Sequence, residues 1–145
     1  AFEPLSLPVN LGGVVDLLGY DLRTPSIEAG GHVELLTVWR VRDALSDAER
    51  GGPTSELVAF THVLDPDGNV VGQMDRLDVP SWHWRAGEAF VQLHRFPVDA
   101  DSPPGLYAVE IGFYARSNYD RLPAVVEGRA VDDRILLRSL ELTGR

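Results

Sequence analysis

The chain has 145 residues, of which 13 are arginine and 22 are acidic, for a formal net charge of −9, and it contains neither lysine nor cysteine. A length of this order is typical of one globular domain, so we predict a single domain over residues 1–145. The acidic balance disfavours nucleic acid and anionic membrane surfaces as partners, and the lack of cysteine excludes disulfides and thiolate metal sites. No apolar run reaches the roughly 18 residues that span a bilayer, so we expect a domain that is not inserted in a membrane.

Along the chain, apolar residues recur at every second position in runs separated by Gly, Pro, Asp and Ser, which is typical of β-strands. The predicted strands are Val14–Leu22, His32–Val41, Leu57–Asp65, Val70–Asp75, Glu88–Phe96, Gly105–Tyr114 and Arg134–Thr143. Residues 1–13 are interpreted as an extended lead-in, and the chain as a piece cut from a longer protein or a processed product. Residues 42–56 are interpreted as an exposed loop excursion with a short helical segment at 43–50. The pattern predicts an all-β fold, an immunoglobulin-like antiparallel β-sandwich of about seven to nine strands.

The turn Asp65–Asn69 joins the third and fourth predicted strands as a β-hairpin. Its alternating oxygens invite a calcium site, but its glycine comes too early for an EF-hand loop. Asp and Asn are also the residues that cap their own backbone in tight turns, so turn chemistry is the favoured interpretation.

Alternation also predicts a core and the roles of two polar residues within it. Tyr107 follows Pro103-Pro104-Gly105, as in the tyrosine corner of sandwich folds, where the hydroxyl bonds to an upstream loop carbonyl. His62 lies on the apolar face of its strand and is interpreted as a hydrogen-bonded structural histidine, with a ligand or base as the alternative. The facing of the fifth strand is ambiguous and is compatible with a β-bulge. The predicted core includes Trp39, Phe60, Leu64, Tyr107, Val109, Ile111 and Phe113.

Motifs for catalysis and cofactor binding are not found. The sequence has no nucleophile elbow, no HExxH helix, no phosphate loop and no dinucleotide fingerprint. None of the four histidines is spaced i, i+2 or i, i+4 from another, the close spacings at which metal sites begin. We therefore predict no enzyme activity, no cofactor and no metal site. The alternative is a hydrolase or metal-dependent enzyme built from His62, Asp65 or His83 with carboxylates.

The segment Trp82-His83-Trp84-Arg85 is the strongest candidate for a binding site. If it is extended, both indoles point the same way and offer a platform on which sugars stack, with His83 and Arg85 beside them. In the alternative, one or both tryptophans cap the open end of the sandwich, since large aromatic residues near a strand are commonly buried.

An ordered set of short motifs over about residues 14–142 resembles one family. The motifs are Leu18-Gly19-Tyr20-Asp21, Leu36 to Arg40, Phe60-Thr61-His62-Val63-Leu64-Asp65, Asp67-Gly68, Gln73-Met74-Asp75, Trp84-Arg85-Ala86-Gly87-Glu88, Pro104-Gly105-Leu106-Tyr107, Ile111-Gly112-Phe113-Tyr114 and Arg121-Leu122-Pro123. Their order and spacing are similar to an extracytoplasmic β-sandwich domain of bacterial multi-spanning membrane proteins that resemble dolichyl-phosphate-mannose-type glycosyltransferases. Two segments depart from that pattern: Val41 to Glu56 is longer, and Leu77 to Ser81 replaces a Pro/Gly-rich approach to the tryptophan.

This resemblance implies a non-catalytic accessory or interaction domain of a larger cell-envelope protein, with catalysis in the membrane part of the parent. The partner would be a glycan or another part of that parent, and the location extracytoplasmic. A second, fainter resemblance is to the sugar-polymer-binding sandwich of some polysaccharide-export transporter ATPases. This likeness is at the level of fold, and a fold does not carry a function. The alternative function, a carbohydrate-binding module that stacks sugars on Trp82 and Trp84, rests on the tryptophan segment itself.

Overall fold

The computed structural model describes residues 2–42 and 56–144, and in these ranges the chain forms twelve β-strands, one 3-10 turn and no α-helix. The strands are β1 Glu3–Leu11, β2 Val15–Leu22, β3 Ser26–Glu28, β4 His32–Val41, β5 Leu57–Leu64, β6 Val70–Asp75, β7 Ala89–Pro97, β8 Gly105–Ala115, β9 Ala124–Val126, β10 Arg129–Asp132, β11 Ile135–Leu136 and β12 Leu140–Thr143. The all-β fold is confirmed, and it has more strands than the predicted seven to nine. The predicted helical segment at 43–50 and nearly all of the loop excursion lie outside the described residues.

The strands form two sheets that pack face to face. The first sheet has the order β10-β9-β1-β2-β4-β7, and the second has the order β3-β12-β8-β5-β6, with β11 also paired to β8. Every pairing is antiparallel except that of β3 with β12, which is parallel. The result is a β-sandwich whose two inner faces bury each other.

Strict alternation explains why the longest strands were predicted with accurate bounds. In β4, Val33, Leu35, Thr37 and Trp39 are buried and the residues between them are more exposed. The single strand predicted over Arg134–Thr143 is two short strands, β11 and β12, and four strands were missed: β1, β3, β9 and β10. Of these, β1 occupies most of the predicted lead-in and pairs with both β2 and β9.

All seven predicted core residues are buried, but β5 is buried on both of its faces. Leu57, Ala59 and Val63 face the first sheet and belong to the main cluster between the sheets. Phe60 and Leu64 do not belong to that cluster. The ring of Phe60 lies on the outer face of the second sheet, where it is buried by other side chains and not by the first sheet.

The interior also contains a hydrogen-bonded polar group centred on His94. Its Nδ1 contacts the Thr61 hydroxyl, and its Nε2 lies 2.8 Å from the Thr37 hydroxyl, which also accepts a bond of 2.7 Å from Trp39 Nε1. Burial lowers the pKa of His94 to about 4, against a smaller opposing effect of Asp78. Pairing of β7 with β4 is regular throughout, so the predicted bulge is absent. The ambiguity arose because the inward residues Gln92 and His94 are polar while Val91 and Leu93 face outward.

Two structural predictions are confirmed at loop level. The Tyr107 hydroxyl donates to the Pro103 carbonyl at 2.7 Å, as in a tyrosine corner. The Asp65 carboxylate accepts backbone bonds from Asp67 at 2.9 Å and Asn69 at 2.8 Å, so it is used within its own turn.

Candidate functional site

The segment predicted as a sugar platform is not extended. Residues Ser81–His83 form a single 3-10 turn at one end of the sandwich, and this turn separates the directions of the two indoles. The expected arrangement, with Trp82 and Trp84 side by side on one surface, is therefore corrected by the structure.

Trp84 is part of the core. It is only 1% exposed, its Nε1 donates to the Val79 carbonyl at 2.9 Å, and its ring meets the edge of Phe113 at a centroid distance of 5.8 Å. Trp84 thus closes the end of the sandwich, as the alternative interpretation of this segment expected.

Trp82, His83 and Arg85 lie on the surface. The Trp82 indole is 39% exposed and meets the His83 ring edge-on at 5.9 Å. Of these three, only His83 lines a neighbouring cavity of about 270 Å³. The cavity is lined by Val41, Val79, His83, Trp84, Glu88, Ala89 and Phe90. Ligand binding by Trp82, His83 and Arg85 stays a prediction.

A second candidate site lies on the outer face of the second sheet. It is a cavity of about 250 Å³, here named the tyrosine pocket, lined by Phe60, His62, Asp75, Tyr114, Tyr119 and Arg121. The lining residues come from β5, β6, β8 and the loop that follows β8. Sequence analysis did not identify it as a site.

Aromatic rings form one side of the tyrosine pocket. Phe60 and Tyr114 are stacked with centroids 6.3 Å apart, and Tyr119 lies 5.8 Å beyond Tyr114 with its plane tilted by 33°. The Arg121 guanidinium lies over Phe60 at 4.3 Å from the ring centroid, which is a cation–π contact. Tyr119 is 74% exposed, so the outermost ring is free to meet a ligand.

Asp75 supplies a carboxylate beside these rings. The Tyr114 hydroxyl donates to Asp75 Oδ2 at 2.8 Å. Burial, and then the bond to Asp75, raise the pKa of Tyr114 to about 12, so this phenol stays protonated at neutral pH. The second oxygen of the carboxylate is an acceptor available for a ligand hydroxyl.

A cluster of ion pairs centred on Glu110 lies next to the pocket. Glu110 is 4% exposed and accepts bonds of 2.8 Å from His62 Nδ1 and from Arg134 Nη1, while Arg121 Nη2 lies 3.8 Å away. Burial alone would raise the pKa of Glu110, but Arg134 and His62 outweigh it and hold that pKa below its ordinary value. The predicted role of His62 as a hydrogen-bonded structural histidine is thus seen here.

Two backbone features build the tyrosine pocket. Gly112 lies opposite Phe60 in the β5–β8 ladder, and a Cβ on Gly112 would come within 2.5 Å of Phe60 Cζ. The missing side chain lets the Phe60 ring lie against β8. After β8 the chain turns back, with Arg121 bridged to Tyr114, and Tyr119 adopts φ +61° in this turn. A positive φ is uncommon for a tyrosine and is found most often where surrounding structure fixes the conformation.

The tyrosine pocket combines aromatic, acidic and basic side chains. It places ring faces beside a carboxylate acceptor and a guanidinium donor, which are suited to a small ligand with an apolar face and several hydroxyls. In the part of the chain that the structure describes, no group of three or more His, Cys, Asp or Glu residues could hold a metal ion. No helix within those same ranges is long and apolar enough to cross a membrane.

The sequence contained one signal for this pocket. On the neighbouring strands β5 and β8, outward-facing residues alternate with those of the inner face. The outward-facing ones at the pocket are Phe60, His62, Gly112 and Tyr114. Because both faces of β5 are apolar, the alternation does not say which side faces the other sheet. Phe60 and Leu64, which face outward on β5, were therefore interpreted as core.

Comparison with known proteins identifies a fold. No family model and no curated protein match the chain. The solved C-terminal domain of Wzt is similar to it, with a TM-score of 0.61 and 15% identity over 97% of this chain and 82% of that chain. A Niemann-Pick type C2 protein from Japanese carpenter ant is also similar, with a TM-score of 0.51 and 9% identity over 99% of each chain. At these identities the likeness is one of fold, and what the chain shares with both is a β-sandwich.

Proposed function

We propose that this chain is a non-catalytic accessory domain of a larger bacterial cell-envelope protein, and that it binds a glycan in the tyrosine pocket. The observation that carries the proposal is the exposed Tyr119 ring, continued inward by Tyr114 and flanked by the charged groups of Asp75 and Arg121. This replaces the Trp82 and Trp84 platform as the principal candidate site.

The chemistry of a sugar ring supports this choice. A pyranose has an apolar C–H face, which packs on the electron-rich face of a tyrosine, and hydroxyls that both donate and accept hydrogen bonds. Asp75 accepts from such hydroxyls and Arg121 donates to them. The volume of about 250 Å³ lies below the range of about 300–1,000 Å³ that is common for drug-sized ligands. One sugar unit would therefore lie in the pocket, with the rest of the glycan on the open sheet face.

The setting in the cell is part of the proposal. The ordered motifs shared with the extracytoplasmic sandwich of glycosyltransferase-like membrane proteins support an extracytoplasmic domain of a membrane-anchored parent. The fainter resemblance to the sugar-polymer-binding sandwich of export transporters supports the choice of ligand, and the sandwich fold is compatible with both.

Trp82 gives a second candidate surface for the same ligand class. Its exposed indole contacts His83, and His83 and Glu88 offer polar groups in a cavity of about 270 Å³. Here a sugar would stack on Trp82 alone, because Trp84 is committed to the core.

The proposal is tested by titrating the ¹⁵N-labelled chain with gluco-, manno-, galacto- and rhamno-oligosaccharides and following amide shifts by NMR. We expect saturable shifts around β5, β6 and residues 114–121 with at least one series. Tyr119→Ala should abolish them without unfolding the protein, because the side chain is mostly exposed. Tyr119→Phe is the matched control and should retain binding, since the ring face is kept.

Trp82→Ala separates the two surfaces. If the tyrosine pocket is the site, this variant binds as the parent does. Loss of binding in Trp82→Ala together with normal binding in Tyr119→Ala would transfer the function to the Trp82 surface. No shift with any series would overturn glycan binding.

The extracytoplasmic location needs its own test. In cells that carry the intact parent with an epitope inserted at the exposed Asp67-Gly68 turn, protease added outside the cytoplasmic membrane should cleave the domain. Protection until that membrane is permeabilised would overturn the location.

A further inference from the structure

We infer, resting on the proposed function, that the tyrosine pocket selects uncharged sugar rings over acidic ones, and that Asp133 contributes to this choice by engaging Arg121. The inference concerns the chemical class of the ligand. It follows from the ion pairs and hydrogen bonds that the charged side chains around the pocket already form with one another.

Arg121 is the only arginine among the six residues that line the tyrosine pocket. Its Nη1 lies 3.4 Å from Asp133 Oδ1, and its Nη2 lies 3.8 Å from Glu110 Oε1. The same guanidinium rests on the Phe60 ring. Two carboxylates therefore share its charge, while its remaining N–H groups still donate to a neutral hydroxyl.

The histidine of the pocket does not provide a free cation either. His62 Nδ1 lies 2.8 Å from Glu110 Oε1, so this ring nitrogen is already engaged by a buried carboxylate. Arg134, the next nearest cation of the cluster, bonds Glu110 at 2.8 Å and approaches Asp132 at 3.6 Å. Neither side chain is left to neutralise an incoming anion.

A fixed negative charge also faces the ligand. Asp75 lines the pocket and keeps its place through the bond from Tyr114. A ligand carboxylate held beside Asp75 would meet a like charge, which is unfavourable in a partly desolvated pocket. The chain as a whole carries a formal charge of −9, so long-range attraction of anions is not expected either.

Matched sugar pairs test the inference. The probes are the methyl glycosides of glucose, mannose and galactose and the corresponding methyl uronosides, which differ only in a CH₂OH or a carboxylate at C6. Affinity is measured by NMR titration at neutral pH, at low and at high salt. In each pair that binds, we expect the uronoside to bind about tenfold more weakly or worse at low salt. The gap should narrow at high salt because the repulsion is screened.

Two neighbouring variants test the role of Arg121. Asp133→Asn removes a carboxylate that contacts Arg121, lies outside the pocket lining and has a side chain that is 56% exposed. It should reduce the ratio of the affinity for the neutral glycoside to that for the uronoside by severalfold, because the guanidinium becomes available to an anion. Asp132→Asn is the control: it removes the same charge one residue away, but its carboxylate approaches Arg134 and not Arg121. It should leave the ratio close to that of the parent.

The outcomes separate this inference from the proposed function. Uronosides that bind as tightly as their neutral partners would overturn the inference and leave glycan binding intact. Equal effects of the two Asn variants would overturn the part played by Arg121 and indicate a general charge effect. It is also possible to find that no member of any pair binds while the oligosaccharides do. The pocket would then need more than one sugar unit, and the inferred selection between single sugar rings would be overturned. If neither class binds, the proposed function fails as well.

Discussion

The two faces of β5 are buried to a similar extent but by different means. Its inner face packs on the first sheet and carries Thr61, which contacts the neutral His94. Its outer face carries Phe60 and His62, which are covered by a single layer of charged and aromatic side chains with an opening between them. The extent of burial therefore does not distinguish a core from a binding site. The chemical nature of the side chains that cover the buried residue does.

The largest expected difference between these faces is the cost of removing an aromatic ring. Phe113 lies between the sheets, 4.9 Å from Trp39 and 5.8 Å from Trp84, so Phe113→Ala should destabilise the protein by about 4 kcal/mol. Phe60→Ala should cost about 2 kcal/mol, because the surface side chain of Arg121 is able to collapse into the space. Urea unfolding of both variants measures the difference, and equal losses would mean that the outer layer is as rigid as the core.

The next difference is in acid sensitivity. His94 has its pKa lowered to about 4, so as the pH falls below 6.5 the unfolded chain takes up this proton before the folded one. Its contribution to stability is complete above pH 6.5, and about 3 kcal/mol is lost by pH 4. On the outer face Glu110 has a lowered pKa, so its contribution is complete above its ordinary value of 4.5 and is lost at lower pH.

Unfolding free energies measured over this pH range distinguish the contribution of His94 from that of Glu110. The fall of the unfolding free energy between pH 6.5 and 4.5 should largely disappear in His94→Gln, an uncharged replacement that keeps hydrogen-bonding groups. It should persist in Glu110→Gln. A slope unchanged by His94→Gln would assign the acid sensitivity to another group.

The smallest expected effect on stability concerns the floor of the tyrosine pocket. Gly112→Ala places a Cβ where Phe60 now lies and should displace that ring, at a cost of about 1–2 kcal/mol and with weakened saccharide binding. Phe60→Leu combined with Gly112→Ala should recover part of this stability, because the shorter side chain avoids the contact. Additive losses in the double variant would contradict the close approach of Gly112 and Phe60.

The sequence allowed most of the fold to be predicted but not all of its edges. The burial of β4 alternates strictly over ten residues, and such a period is a strong signal. In β8 large apolar residues recur at every second position from Tyr107 to Phe113. β3 and β9 have only three residues each, too few for a period to be recognised. β1 was interpreted as an extended lead-in; it contains two prolines, which are uncommon within strands, so its sequence is not typical of one.

The site was harder to predict than the fold. Tyr119 and Arg121 reach the pocket because a turn after β8 brings them back over the sheet, and single-sequence patterns do not specify that return. The Trp82 segment, in contrast, was conspicuous in the sequence because of its two tryptophans. One of them, Trp84, serves packing, which is the commoner use of a large aromatic residue.

The parallel pairing of β3 with β12 has a consequence for how the protein is made. It joins Ser26 to Glu141 and Glu28 to Thr143, so this edge of the second sheet cannot form on the ribosome until residues 140–143 have emerged. By then nearly all the other strands are available to pair, and closure of a loop of this length is a slow step in folding. We therefore expect β3 to remain unpaired until β12 has emerged, and during that interval the nascent chain is exposed to mispairing at this edge.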